Sequence, residues 1–171
     1  MMNNYPYIRN MYFICFLLAV VLLNVAYYLE YMLKILPCPL CVLQRYVLIF
    51  LTAIFLTAGL VKQRFFAILL NLLALFGSVL GLLLSGRQVW LQHAPPEGLG
   101  ECGVSLSFMF KIFSFKETLV HVWRGGTECS QYDWTFLSLS LAEWSCLWFG
   151  IFTVFMLIQL KKLCCPHKIR Y

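Results

Sequence analysis

The sequence predicts an all-α membrane protein: a four-transmembrane-helix bundle with one long external loop that carries a short interfacial helix. Of the 171 residues, 62% are apolar and only 12% are charged, whereas a soluble domain is about 45–50% apolar and about 25% charged. The apolar residues gather in four long runs, and the basic residues concentrate on one side of those runs. This composition argues against a soluble enzyme, a disordered segment and a free nucleic-acid binder.

Each apolar run is 17 to 20 residues long, close to the roughly 20 residues that cross the hydrocarbon core as a helix. The predicted spans are residues 11–29, 42–61, 65–84 and 144–160. The first run is too long for a signal-peptide core and has no cleavage site after Tyr27-Tyr28-Leu29, so we expect it to remain as an anchor. The chain 1–171 then forms a single membrane domain with two external loops, residues 30–41 and 85–143.

The basic residues set the orientation of the four spans. Seven of them lie at the two termini and in the short link between the second and third spans: Arg9, Lys62, Arg64, Lys161, Lys162, Lys168 and Arg170. The opposite side has six, spread over much longer loops, together with all seven acids. The positive-inside rule therefore places both termini in the cytoplasm. The net charge of +6 then reflects topology, so the expected surroundings are a lipid bilayer and no nucleic-acid partner is expected.

The long external loop contains Pro95-Pro96, two glycine-containing turns and an aromatic segment at residues 108–115. Aromatic side chains interspersed with Lys111 and followed by Lys116 are typical of a helix that lies on the membrane surface with its cations toward water. We therefore expect a short interfacial helix over residues 108–115.

The topology sorts the eight cysteines into three groups. Cys15 and Cys146 lie inside spans, where a free cysteine behaves as a small apolar residue. In the cytoplasmic tail, Cys164-Cys165-Pro166-His167 has three potential ligands too close together to wrap one ion, so no metal site is expected. Four cysteines remain on the external, oxidising side, where disulfides persist: Cys38, Cys41, Cys102 and Cys129. An even number there indicates two pairs.

Cys38-Pro39-Leu40-Cys41 is a C-x-x-C motif at the start of the second span. Pro39 suits the first position of a helix, where its missing N–H is not needed. Cys41 then falls in the first helical turn, where the helix dipole favours a thiolate. Arg45 lies four residues further on the same face, and a charge just inside the hydrocarbon is a candidate functional residue. The motif indicates a redox dithiol beside an electron acceptor in the lipid, with Arg45 as the stabilising cation.

Other interpretations stay open at this point. A C-x-x-C also occurs in zinc sites, which need four Cys or His ligands, and in structural disulfides. Covalent haem attachment would need histidine at residue 42, which is valine. Arg45 could instead only extend toward the membrane surface. Cys102 and Cys129 can close a loop of about 28 residues, worth roughly 3–4 kcal/mol in the chain-entropy model, either as a structural staple or as an exchangeable pair.

Four stretches resemble the disulfide bond formation protein B (DsbB) family. They are Cys38-Pro39-Leu40-Cys41-Val42-Leu43-Gln44-Arg45, Gly86-Arg87-Gln88-Val89-Trp90-Leu91-Gln92-His93, Glu101-Cys102-Gly103, and Glu128-Cys129 followed by Trp134-Thr135-Phe136-Leu137-Ser138-Leu139. The similarity covers all four spans and both external loops. Two departures are Val104, where the family commonly has proline, and Gly125-Gly126 in place of the commoner Gly-x-Gly. They bear on loop shape and not on the chemistry.

The resemblance implies a bacterial inner-membrane protein with cytoplasmic termini and a long periplasmic loop. It implies a protein-dithiol:quinone oxidoreductase that reoxidises a DsbA-like periplasmic thioredoxin-fold oxidase and reduces membrane quinone, either ubiquinone or menaquinone, a route that keeps the bacterial periplasm oxidising. By motif, Cys102 forms the mixed disulfide with the oxidase, Cys129 passes the electrons to Cys38, and Cys41 is nearest the quinone. The expected quinone-binding residues are Cys41, Arg45 and His93.

Three alternatives accompany this interpretation. A paralogue dedicated to one partner oxidase would have the same motifs. A four-helix vitamin K epoxide reductase-like protein would usually have its C-x-x-C after the second pair, which is opposite to the order here. In a binding module, the external loop would be a disulfide-stapled docking platform without redox turnover. Quinone-dependent loss of the partner's thiols separates the enzyme from the binding module.

Overall fold

The computed structural model describes residues 5–33, 38–93, 120, 123 and 135–164. Its long helices are α1 (Tyr5–Leu33), α2 (Pro39–Leu60), α3 (Arg64–His93) and α4 (Leu141–Cys164), and a hairpin of β1 (Thr135–Phe136) and β2 (Leu139–Ser140) precedes α4. These four helices are long and apolar enough to cross a membrane, which confirms the predicted four-helix fold class. The interfacial helix expected at residues 108–115 lies outside the described residues, as do Cys102 and Cys129.

Helices α1, α3 and α4 extend at both ends beyond the apolar runs that predicted the spans, whereas α2 begins earlier than its run and ends at Leu60. For example, α3 continues past residue 84 to His93, because Ser85, Gln88 and Leu91 follow at helical spacing and are all buried. The Ser85 hydroxyl donates to the carbonyl of Gly81 (2.9 Å), so this polar side chain is satisfied within the helix. The apolar runs therefore locate the helices but not their ends.

Successive helices pack in chain order: α1 against α2, α2 against α3, and α3 against α4. An apolar cluster fills much of the bundle interior, and within it the ring centres of Phe55 and Phe152 lie 5.4 Å apart. Helices α3 and α4 approach closely at Gly81, where a Cβ atom would overlap the ring of Phe149, so the approach requires glycine. Helices α1 and α4 pack less closely, which leaves a gap between them.

The bundle has two distinct ends. The cysteine end is formed by the C-termini of α1 and α3 and the N-termini of α2 and α4, and it carries Cys38. The basic end is the opposite one, and its cations include Lys62, Arg64, Lys161 and Lys162. Arg64 donates to the carbonyl of Leu163 through Nε (3.1 Å) and through Nη2, which caps the final turn of α4.

A tight hairpin holds the start of α4. Leu137 and Ser138 form its turn with φ values of 53° and 65°, the left-handed conformation of two-residue hairpin turns. The Glu143 amide donates to Ser140 Oγ (3.3 Å), and the Ser140 amide donates to Glu143 Oε2 (2.6 Å), so the two residues form a capping box. The Ser140 hydroxyl also donates to Gln92 Oε1 (2.8 Å). The start of α4 is therefore anchored to the end of α3.

Candidate functional site

Cys38 begins α2 as its N-cap residue. Its backbone is extended (φ −67°, ψ 159°), and its Sγ accepts a hydrogen bond from the backbone N–H of Cys41 (3.4 Å), a role that Ser, Thr, Asp or Asn usually performs. Pro39 occupies the beginning of the helix and Cys41 lies in its first turn, as the sequence predicts. Both cysteines are thus at the point of α2 where unpaired N–H groups favour a negative charge.

The sulfur atoms of the two cysteines are in contact. The distance between Cys38 Sγ and Cys41 Sγ is 3.1 Å, and only a small movement is needed to form a disulfide bond of about 2.05 Å. Cys38 is buried and packs with Leu40 and Leu91, whereas Cys41 is only partly buried. Cys41 is therefore the sulfur that a molecule in the membrane reaches more easily.

Two glutamines connect the cysteine pair to α3. The side-chain N–H of Gln44 donates to Gln88 Oε1 (2.8 Å). Gln88 Nε2 in turn lies 3.0 Å from Cys41 Sγ and 3.6 Å from Cys38 Sγ. Gln44 is 6% exposed and Gln88 is 4% exposed. Because a buried amide is costly unless it is hydrogen-bonded, this chain of contacts holds α2, α3 and the two sulfurs together.

Arg45 is directed toward α1. Its guanidinium forms an ion pair with Glu30 and donates through Nη2 to the carbonyl of Ala26 (3.2 Å). Its Cζ lies 5.4 Å from the centre of the Tyr27 ring, which is within cation–π range. The Arg45 side chain is only 15% exposed. The cation expected one turn below Cys41 is therefore present, and α1 supplies an acidic partner that the sequence alone does not assign to it.

A cavity of about 370 Å³ lies beside the cysteine pair, between α1 and α4. Its polar lining residues are Cys41, Gln44, Arg45, Gln88 and Ser145. The rest of its described lining is apolar or aromatic and comes mainly from α1, α4 and the hairpin. Val25 and Phe136 belong to this lining and are about half exposed at the protein surface. The cavity therefore joins a reactive sulfur and a cation to an apolar wall that reaches the lipid-facing surface.

The remaining predicted site residues are His93, Cys102 and Cys129. His93 is the last residue of α3, its side chain is 58% exposed, and its Nε2 lies 3.9 Å from Glu143 Oε1. It is not among the described residues that line the cavity. Cys102 and Cys129 lie outside the described residues, so their pairing stays a prediction. The other three predicted site residues meet in the first two turns of α2.

The sequence alone does not identify Gln88 or Glu30 as site residues, although it contains partial signals for both. Ser85, Gln88 and Gln92 are spaced three and four residues apart, and such spacing puts polar side chains on one face of a helix. Glu30 directly follows the first apolar run, and a charge inside the hydrocarbon, such as Arg45, needs a partner. Neither signal tells which neighbouring helix the residue faces.

The chain matches known proteins along most of its length. The family model described as Disulfide bond formation protein DsbB matches residues 8–159. The chain belongs to the DsbB family. The matched range contains Cys38, Cys41 and every described residue that lines the cavity. This DsbB-family chain is therefore a multi-pass membrane protein of disulfide bond formation, with an oxidoreductase role.

Several relatives resemble this DsbB-family chain over most of its length. Disulfide bond formation protein B of Methylococcus capsulatus is 36% identical over 159 residues, which cover 90% of this chain and 94% of the relative. The protein of the same name from Azoarcus sp. is 40% identical over 147 residues, covering 83% and 86% of the two chains. Disulfide bond formation protein B 1 of Pseudomonas aeruginosa is 36% identical over 159 residues, covering 90% and 95%.

Proposed function

We propose that this protein reoxidises a DsbA-like periplasmic thioredoxin-fold oxidase and passes the electrons through two cysteine pairs to membrane quinone. The observation that carries the proposal is the cavity, because the Cys38–Cys41 dithiol adjoins an apolar space that reaches the lipid. Exchange with a soluble thiol needs no such space, whereas an acceptor confined to lipid does. Membership of a family of disulfide bond formation supports the same class of reaction.

The proposed route begins with two thiol–disulfide exchanges. The dithiol of the reduced oxidase attacks the Cys102–Cys129 disulfide, first forms a mixed disulfide with Cys102, and leaves as a disulfide while Cys102 and Cys129 become thiols. These thiols then reduce the Cys38–Cys41 disulfide, and the Cys102–Cys129 disulfide re-forms. Each exchange moves two electrons without changing the number of disulfides. Net oxidation therefore requires a final acceptor of a different kind.

The cavity fits a membrane quinone, either ubiquinone or menaquinone, as that acceptor. A bound quinone would accept two electrons and two protons. Its flat apolar ring suits the aromatic wall, and its carbonyl oxygens suit the donors of Arg45 and the neighbouring amides. The gap between α1 and α4 gives an isoprenoid tail a route into the lipid. Cys41 and Arg45 are the proposed contacts, and His93, which the family resemblance adds, is a further candidate at the end of α3.

The side chains of this chain have separate proposed tasks. Cys38 receives the electrons from Cys129, and the partly exposed Cys41 delivers them toward the cavity. The N-terminus of α2 stabilises a thiolate at either sulfur, and both sulfurs lose their protons as they form a disulfide. Arg45, one turn deeper, stabilises negative charge that develops in the cavity. The apolar wall excludes water from the sulfur that reacts there.

The proposed function requires the cysteine end to face the periplasm of a bacterial inner membrane, because disulfides form and persist there. The charge distribution supports this orientation. The basic end carries Lys62, Arg64, Lys161 and Lys162, and short segments rich in Lys and Arg stay in the cytoplasm. Both termini would then be cytoplasmic.

Mixing the purified protein with a reduced thioredoxin-fold oxidase and a short-chain ubiquinone tests the proposed function. We expect catalytic loss of the oxidase thiols, with one quinone reduced for each dithiol consumed, measured by thiol alkylation and quinone absorbance. Without quinone the reaction should stop once the two cysteine pairs are reduced. Stable binding of the oxidase without quinone-dependent thiol loss would mean that the protein is a docking module and that the proposed function is wrong.

A further inference from the structure

We infer that Gln88 is a fixed hydrogen-bond donor to the sulfurs of Cys38 and Cys41, and that Gln44 sets the direction of its amide so that the pair is made more oxidising. The inference rests on the proposed function, in which these sulfurs alternate between dithiol and disulfide. It gives α3 a direct contact with the reacting sulfurs, both of which belong to cysteines at the start of α2.

The direction of the Gln88 amide follows from its partners. Gln44 Nε2 lies 2.8 Å from Gln88 Oε1 and donates to it, which leaves the N–H groups of Gln88 for the opposite side. On that side Gln88 Nε2 is 3.0 Å from Cys41 Sγ and 3.6 Å from Cys38 Sγ. If the amide were reversed, its carbonyl oxygen would face the sulfurs and repel a thiolate. The observed contacts therefore present a donor to the cysteine pair.

Burial makes this donor effective. Gln88 is 4% exposed and Gln44 is 6% exposed, so water does not compete strongly for either amide. A hydrogen bond to an ionised group is stronger than one between neutral groups, and the difference grows where the local dielectric is low. The amide of Gln88 therefore stabilises a Cys41 or Cys38 thiolate more than it stabilises the sulfurs of a disulfide.

The consequence is a shift of the redox equilibrium of the pair. Reduction of the Cys38–Cys41 disulfide adds two electrons and yields two sulfurs, of which one can stay ionised at the N-terminus of α2. Because the Gln88 donor favours the ionised reduced form, it raises the reduction potential of the pair. Electrons supplied by the Cys102–Cys129 thiols then enter the Cys38–Cys41 pair more favourably.

The test uses the full-length protein with Cys102→Ser and Cys129→Ser, so that only the Cys38–Cys41 pair exchanges with dithiothreitol redox buffers. Gln88→Leu removes the donor. We expect the dithiol–disulfide equilibrium constant of the Cys38–Cys41 pair to shift about tenfold toward the disulfide in this variant. This shift corresponds to roughly 30 mV for a two-electron couple. Alkylation of free thiols followed by mass spectrometry measures the reduced fraction at each buffer ratio.

A second variant separates redox tuning from packing. Gln88→Met keeps the approximate length and volume of the side chain but has no N–H donor, so it should shift the equilibrium in the same direction. Gln92→Leu is the matched control, because it makes the same change one turn further along α3. The Gln92 side chain accepts a hydrogen bond from the Ser140 hydroxyl and has no described contact with the two sulfurs. We expect no shift for this control. If Gln88→Leu does not fold, Gln88→Met still carries the test.

The outcomes for the inference and for the proposed function are distinct. If the Cys38–Cys41 pair cycles reversibly but Gln88→Met and any folded Gln88→Leu protein have the same equilibrium constant as the protein with both glutamines, the inference is overturned and the proposed function stands. If the pair with both glutamines intact never forms a reversible disulfide, the proposed function fails and the inference falls with it.

Discussion

Replacing Cys41 with serine should abolish sustained quinone reduction while the protein still folds. Cys38 then loses the sulfur 3.1 Å away with which it forms the proposed disulfide, so electrons have no dithiol at the cavity from which to leave. The external Cys102–Cys129 pair should still oxidise about one equivalent of partner dithiol and then stop. Quinone absorbance, recorded beside non-reducing gels of alkylated protein, measures both steps.

The matched control removes cysteines that lie off the proposed route. A variant with Cys15, Cys146, Cys164 and Cys165 all replaced should retain most of the activity, because the first two lie within spans, Cys164 ends α4 and Cys165 directly follows it in the sequence. Repeated turnover of partner dithiol by Cys41→Ser would show that the electrons take another path.

The second large effect is expected for Arg45→Ala, which should lower quinone reduction at limiting quinone by about 10- to 100-fold, the range for loss of a hydrogen bond to a charged group. Arg45 lines the cavity and its side chain is 15% exposed, so its charge is poorly screened by water. Initial rates measured across a range of quinone concentrations should show a raised KM for quinone, with less effect on the exchange between the partner and the external pair.

A double variant separates charge from folding. Arg45→Ala alone leaves Glu30 without its ion-pair partner in a partly buried position, and such a charge destabilises the fold. Arg45→Ala combined with Glu30→Gln removes both charges, so the double variant should fold and still reduce quinone poorly. Near-normal rates at limiting quinone in a folded double variant would show that Arg45 only joins α1 to α2.

Local chemistry made part of this architecture predictable from sequence. Four long apolar runs, of which only the second contains a charge, can cross lipid only as helices, because the backbone groups there must be paired within the segment. The start of α2 was equally predictable, since Pro39 fits the first helical position and fixes Cys41 in the first turn. The position of Arg45 on the same face followed from the same helical geometry.

The contacts between helices were not predictable in the same way. Gln88 reaches the sulfurs only because α3 is rotated so that Ser85, Gln88 and Leu91 face the bundle, and a single sequence does not specify that rotation. The pairing of Arg45 with Glu30 depends in the same way on the rotation of α1 about its axis.

The hairpin before α4 was also not predictable. Its turn uses Leu137 and Ser138 in left-handed conformations without the glycine or asparagine that usually signals such a turn. Its effect on the site is considerable, because Trp144 Nε1 donates to the carbonyl of Phe136 (3.1 Å) and so holds Phe136 at the cavity wall.

The central claim is that a lipid-confined acceptor binds in the cavity beside Cys41. Photolabelling with a photoreactive quinone analogue, followed by peptide mapping, tests it most directly. We expect labels on residues 22–26 of α1 and 141–149 of α4, competed by excess quinone. Ala142→Trp fills the cavity and should abolish these labels, whereas Leu147→Trp, on the exposed side of the same helix, should not. Labels confined to lipid-facing residues near the basic end, unaffected by Ala142→Trp, would contradict the claim.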